Sequence, residues 1–162
     1  MAKSKSNATR IDIKGKLRES MVGLLNRQLA DTLDLYTQVK QAHWNVKGPH
    51  FIALHELFDK LAGDLVGPVD DIAERVTSLG GVARGTARVA AKESRLAEFP
   101  IERCEGLQAV ALLADRYAAL AASTRAAIDT ASAEGDADTA DLFTGVSRGL
   151  DKALWFLDAH LA

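Results

Sequence analysis

Apolar positions recur every three or four residues along four stretches of the chain, the period of an amphipathic α-helix rather than a strand. In the first, from about Leu17 to Val46, Val22, Leu25, Leu29, Tyr36 and His43 share one stripe, and Gly48 with Pro49 ends it. The second runs from Phe51 to the Gly80, Gly81 pair, with Leu54, Phe58, Leu61, Leu65, Ile72 and Val76 predicted to face the core. The third, rich in alanine, spans roughly Leu107 to Ala133 with Val110, Leu113, Tyr117, Leu120 and Ile128 inward. The fourth follows the turn Glu134 to Asp138, with Asp138 the expected N-cap, and carries Leu142, Val146, Leu150, Leu154, Leu157 and Leu161. The connection from about 82 to 105 is long and predicts a short helical turn around Arg88 to Ala97. The pattern is all-α: a four-helix bundle whose long crossover makes the second and third long helices parallel.

Gly67 and Pro68 interrupt the second pattern, because an interior proline removes a backbone hydrogen bond and kinks or breaks a helix. The flanks Leu65, Val66 and Val69 are apolar and offer no polar loop, so a kink is expected rather than a reversal of the chain.

The second helix also carries polar residues of a particular kind. His55 and Asp59 are four apart, as are Asp70 and Glu74, and each pair shares a helix face. His43 ends the apolar stripe of the first helix. The two pairs lie on one stripe, yet eleven residues at ~1.5 Å per residue hold them roughly 16 Å apart, while a first-row metal sits only ~2 Å from its ligand atoms. One copy of the helix therefore cannot wrap one ion. A second copy, antiparallel across a two-fold axis near Gly63, Asp64 and Leu65, would set Asp59 beside the mate's Asp70 and His55 beside its Glu74. A reversal at Pro68 would instead bring the pairs together within one subunit. Taken singly, each residue is explained by solvated charge or by support of Arg75 or Lys60; taken together, they predict a metal site between subunits.

Length and composition fit this picture. The 162 residues, 48% hydrophobic and 26% charged, suit one soluble domain, and no apolar run nears the ~20 residues of a membrane span. The cytoplasm is the expected location. The lone Cys104 excludes an internal disulfide and a thiolate cluster. Net charge is only −2, but Lys3, Lys5, Arg10, Lys14, Lys16 and Arg18 face a single Asp12 in the first eighteen residues. Residues 1–16 are expected to form a mobile basic arm ahead of a bundle domain over 17–162. Such an arm binds phosphate backbones without reading sequence, or merely solubilises.

The run HWNVKGPHFIALHELFDKL (43–61) and its continuation DDIAERVTSLGG (70–81), with ADRYA (114–118), DTADL (138–142) and SRGLDKALWFL (147–157), resemble the Dps family of DNA-binding mini-ferritins. The likeness covers nearly the whole expected bundle. It implies a ferritin-like fold, twelve copies in a hollow shell, and oxidation of Fe(II) to Fe(III), preferably by hydrogen peroxide, with storage of the ferric product as mineral. The family's ferroxidase ligands fall on His43, His55 and Asp59 of one subunit and on Asp70 and Glu74 of its two-fold mate. Trp44 corresponds to a tryptophan thought to intercept stray oxidising equivalents, although packing accounts for it as well. Imidazoles and carboxylates suit both oxidation states of iron, and no organic cofactor is implied. No histidine has a glutamate three residues before it, which disfavours the intrasubunit di-iron site of larger ferritins.

Glu134, Asp136, Asp138 and Asp141 make an acidic cluster at the last turn. Helix capping explains it; the resemblance adds a three-fold pore that admits iron, with Asp136 and Asp141 the chosen residues. DNA binding, sequence-independent and nucleoid-associated, would rest on the six basic residues of the arm. The competing readings are a DNA-compacting shell without enzymatic activity, a related metal-binding protein that does not bind DNA, and a zinc store or other metal enzyme built on the same ligands.

Overall fold

The structure, a computed structural model, describes residues 7–102 and 105–162. Cys104, Lys3 and Lys5 lie outside them. Five helices follow in order: α1 (Gly15–Asn45), α2 (Phe51–Ser78), α3 (Ala87–Glu93), α4 (Gly106–Glu134) and α5 (Ala137–Asp158). There is no strand among the described residues, only an isolated bridge between Lys47 and Glu105.

The expected core stripe of α2 is buried throughout: Leu54, Phe58, Leu61, Leu65, Ile72 and Val76 all lie inside. They meet Leu25, Leu29, Leu35 and Val39 of α1, Leu113, Tyr117 and Leu120 of α4, and Phe143, Leu150 and Leu157 of α5. Burying each such side chain favours folding by about 1.5–3 kcal/mol before entropy is counted. Leu161 is a correction to the predicted pattern: α5 ends at Asp158, and Leu161 beyond it is exposed.

Long-range bonds give the helix directions. Ser20 bonds Glu134 and Gln28 bonds Thr124, so α1 and α4 are antiparallel. Lys40 meets Asp59 while Asn26 reaches the carbonyl of Val82 just past α2, so α1 and α2 are antiparallel too. Hence α2 and α4 run parallel, as the long crossover requires. The crossover is pinned by a buried carboxylate. Asp31 accepts from Arg95 Nε (2.9 Å), Nη2 (2.6 Å) and backbone N–H (2.8 Å).

Helix α2 continues through Pro68, so the chain does not reverse there and the pairs stay apart along one rod. The bend between α4 and α5 uses two residues. Gly135 adopts φ +91, and its N–H and that of Asp136 both close onto the carbonyl of Ala131. Asp136, not Asp138, is the N-cap: its Oδ1 accepts from Thr139 N–H at 3.0 Å. Only Asp136 lies between the left-handed glycine and the first helical residue, so it has the non-helical backbone (φ −99, ψ 84) a cap needs, whereas Asp138 is already inside α5.

The basic arm also departs from expectation. Helix α1 starts at Gly15, and residues 7–14 lie docked on the bundle. Asn7 N–H donates to the Gly80 carbonyl (2.8 Å), Thr9 Oγ1 donates to the Ser78 carbonyl (3.0 Å), and Ile11 and Ile13 are half-buried against the core. The strap thus satisfies carbonyls that the end of α2 leaves open. Gly80 sits at φ +81, and a Cβ there would come within 2.5 Å of the Asn7 carbonyl oxygen. Gly80→Ala is therefore expected to cost about 1–3 kcal/mol and to expose residues 7–14 to protease first, read by limited proteolysis with mass spectrometry.

Candidate metal centre

Helices α1 and α2 meet at the short loop 46–50, and this junction brings His43 and His55 face to face. Their rings stack at 3.9 Å between centroids. Each Nδ1 lies at hydrogen-bond distance from the other residue's backbone carbonyl, 2.8 Å from His43 to His55 and 2.9 Å in return. A carbonyl only accepts, so both Nδ1 atoms carry the proton and donate. In the neutral rings both lone pairs are then on Nε2, the tautomer a metal ligand needs, fixed before any ion arrives. These carbonyls belong to the last turn of α1 and the second turn of α2, so the two helices orient each other's ligands.

Asp59 completes the group, its Oδ1 lying 3.7 Å from His43 Nε2. His43 is buried, His55 half-buried and Asp59 exposed, so the cluster opens outward at the edge of the core. Lys40, unanticipated from sequence, donates from Nζ to Asp59 Oδ1 at 2.7 Å. That hydrogen bond, with the charge of Lys40 behind it, holds the Asp59 carboxyl below its ordinary range; His43 and His55 add smaller effects of the same sign. A depressed folded-state pKa means that any stabilising contribution is present above the ordinary pKa and is lost as pH falls through the depressed one. The carboxylate thus stays ionised, and able to bind a cation, into more acidic solution than an ordinary aspartate.

Asp70 and Glu74 do not join this group. Both are exposed further along α2, and among the described residues no three of His, Cys, Asp and Glu of one chain gather closely enough to hold an ion. The stripe between the pairs is bare. Asp59, Gly63, Val66 and Asp70 follow one face, Val66 and Ile52 are more than half exposed, and a Cβ built on Gly63 or Gly67 meets nothing within 4 Å. Trp44 is 66% exposed beside Lys40, whose Nζ stands 5.7 Å from the ring centre, so packing within the subunit does not account for it.

At the other end of α2, Asp136 is buried and committed. It accepts from Arg75 Nη2 (2.8 Å), Thr139 N–H and Thr139 Oγ1 (2.6 Å). Asp138 and Asp141 are exposed. Of the basic residues, Arg10, Lys14 and Lys16 are exposed and Arg18 is half-buried. No helix of the described residues is long and apolar enough to cross a membrane.

Comparison with known proteins fixes the class first. A family model described as ferritin-like domain matches residues 22–162. The DNA protection during starvation protein of Agrobacterium fabrum is 42% identical over 157 residues, covering 97% of both chains, and that of Brevibacillus brevis is 33% identical over 149 residues, covering 92% of this chain and 99% of its own. DpsA14 from Streptomyces coelicolor superposes with a TM-score of 0.91 at 34% identity, covering 99% of this chain and 95% of that one. The chain belongs to the Dps family of ferritin-like proteins.

Proposed function

We propose that the protein oxidises Fe(II) at a centre shared by two subunits and stores the ferric product inside a shell of twelve. The observation that carries this reading is the stacked pair His43 and His55, both Nε2 lone pairs fixed by reciprocal backbone bonds, with the ionised carboxylate of Asp59 beside them and held by Lys40. These donors of one chain do not close around an ion by themselves. The bare stripe of α2 supports the source of the rest: an antiparallel copy, centred between Asp64 and Leu65, would bring its Asp70 to Asp59 and its Glu74 to His55, with Gly63 and Gly67 letting the backbones approach closely.

Iron is the substrate. Two Fe(II) ions each give one electron to hydrogen peroxide; the O–O bond breaks, and with two protons two waters form. The imidazoles and carboxylates hold the iron, the histidine carbonyl bonds keep the ligands oriented, and Lys40 must yield Asp59 as the cation arrives. Trp44, exposed next to a ligand, is positioned to take a stray oxidising equivalent. The test is size-exclusion chromatography with light scattering, paired with anaerobic Fe(II) titration followed by peroxide. A twelve-subunit mass with peroxide-dependent ferric absorbance is expected; a monomer oxidising iron at the same rate would overturn the shared centre. Full assembly with no absorbance change would favour a particle that only compacts DNA.

For iron uptake, Asp141 with Asp138 is the better choice of pore residues, because Asp136 has its oxygens occupied by Arg75 and Thr139. For DNA, the docked strap keeps Arg10, Lys14 and Lys16 at the surface and leaves residues 1–6 to supply Lys3 and Lys5. Deleting residues 1–6 is expected to weaken DNA retention uniformly across sequences and to lower the salt slope by up to about 2, near 0.9 per lost phosphate contact. A gel-shift titration at several salt concentrations reads this; unchanged retention removes those six residues from the account.

A further inference from the structure

Away from the junction of α1 and α2, the bundle contains a cavity that iron chemistry does not use. It measures about 300 Å³ and lies between α2 and α5 over the side of α4. Pro68 and Gly149 explain why it is there. The proline ring nitrogen cannot donate to the carbonyl of Asp64, and a Cβ built on Gly149 meets nothing within 4 Å, so the two helices stand apart where these residues face. The interior is apolar and partly aromatic: Leu61, Leu65, Val146 and Leu150 line it with Tyr117 and Phe156. Tyr117 is fully buried, and its hydroxyl donates to the Leu61 carbonyl at 3.3 Å, which leaves its oxygen lone pairs free to accept.

The rim is cationic. Lys60 and Lys152 stand 6.0 and 5.8 Å from the centre of the Phe156 ring. Lys60 is paired with Asp64, four residues on, and so is neutralised. Lys152 has no carboxylate within ion-pair distance among the described residues, so the mouth carries one uncompensated positive charge. Beyond Pro68 the cleft continues into a wider region of about 600 Å³ where Asp71, Glu74 and Asp141 oppose Arg75 and Arg148, and no such excess exists. A concave, largely apolar cleft with a few convergent polar groups is the usual form of a small-molecule site.

We propose that this cavity binds a small aromatic monoanion, a one- or two-ring carboxylate whose ring lies against Phe156 over an apolar floor formed by the edges of Leu61, Leu65 and Tyr117, and whose charge meets Lys152. An uncharged arene of equal size would lose the ammonium contact, and an aliphatic acid would lose the contact with the Phe156 ring.

The probe is 2-naphthoate, titrated calorimetrically into the assembled protein, with 2-naphthamide as the neutral counterpart. Saturable binding is expected, with the amide about tenfold weaker and Lys152→Gln weakened about tenfold for the acid but little for the amide. Gly149→Leu, whose side chain grows into open space, should remove binding of both while the assembly keeps its size and melting behaviour. Lys152→Arg should keep it. Binding unchanged in Gly149→Leu, equal affinity for acid and amide, or no heat from the acid at millimolar concentration would each overturn the proposal. Iron oxidation is not a readout, so failure here leaves the ferroxidase reading untouched.

Discussion

Replacing His43 and His55 together by alanine is expected to lower peroxide-dependent Fe(II) oxidation by on the order of a hundredfold or more, since removing even the partners that orient metal ligands costs about 10–100-fold. The cluster would keep only Asp59, itself drawn to Lys40. The fold should survive. Alanine favours helix, and the loss is two side-chain bonds between α1 and α2, about 1 kcal/mol each, within a core of more than thirty buried apolar residues. The measurement is the initial rate of ferric absorbance, with light scattering to show intact assembly. Asp59→Asn, which keeps the shape and removes the charge, should reproduce most of the loss. Assembled variants oxidising iron at the parent rate would sink the assignment.

What the chain declares about itself depends on whether a feature is local. The four long helices and the α2 core stripe follow from spacing, because burial of one face imposes a 3.6-residue period on the sequence that makes it. The candidate ligands are readable for the same reason: His55 and Asp59 share a face wherever that helix packs. Lys40 could not be assigned in advance. It lies three before His43, so its place on that face of α1 is visible, but its meeting with Asp59 depends on the register of two helices, which the loop 46–50 sets. The docked strap is hidden similarly, because Asn7 and Thr9 bond to backbone atoms at 80 and 78, and backbone carbonyls leave no mark in composition. Ile11 and Ile13, alternating with Asp12, were the available sign that this basic segment has a face to bury. The reciprocal bonds of the two histidines also run through main-chain oxygens, so sequence offers the ligands but not their tautomers.

Asp136 is where two readings of the same acid come apart. An acid that attracts iron in a pore must present its charge to water, whereas Asp136 is only 2% exposed and its oxygens serve the α5 cap, the Thr139 hydroxyl and Arg75. Asp136→Ala removes a cap, worth about 0.5–2 kcal/mol, and leaves Arg75 with the neutral Thr139 hydroxyl at 3.0 Å and, as a counter-charge, the distant Asp138 at 3.9 Å. Breaking a buried ion pair on one side costs roughly 3–5 kcal/mol. Because the same oxygens serve cap and pair, the two costs overlap, and a loss of about 3–5 kcal/mol is expected, lowering Tm by on the order of 10 °C. Asp141→Asn touches none of these bonds and should leave Tm within a degree or two while slowing iron uptake at low Fe(II), as expected where an exposed charge concentrates cations by its field. Calorimetry and uptake kinetics on both variants separate the roles. If Asp136→Ala kept its Tm and lost uptake, Asp136 would be the pore residue after all, and the turn between α4 and α5 would owe its shape to Gly135 alone.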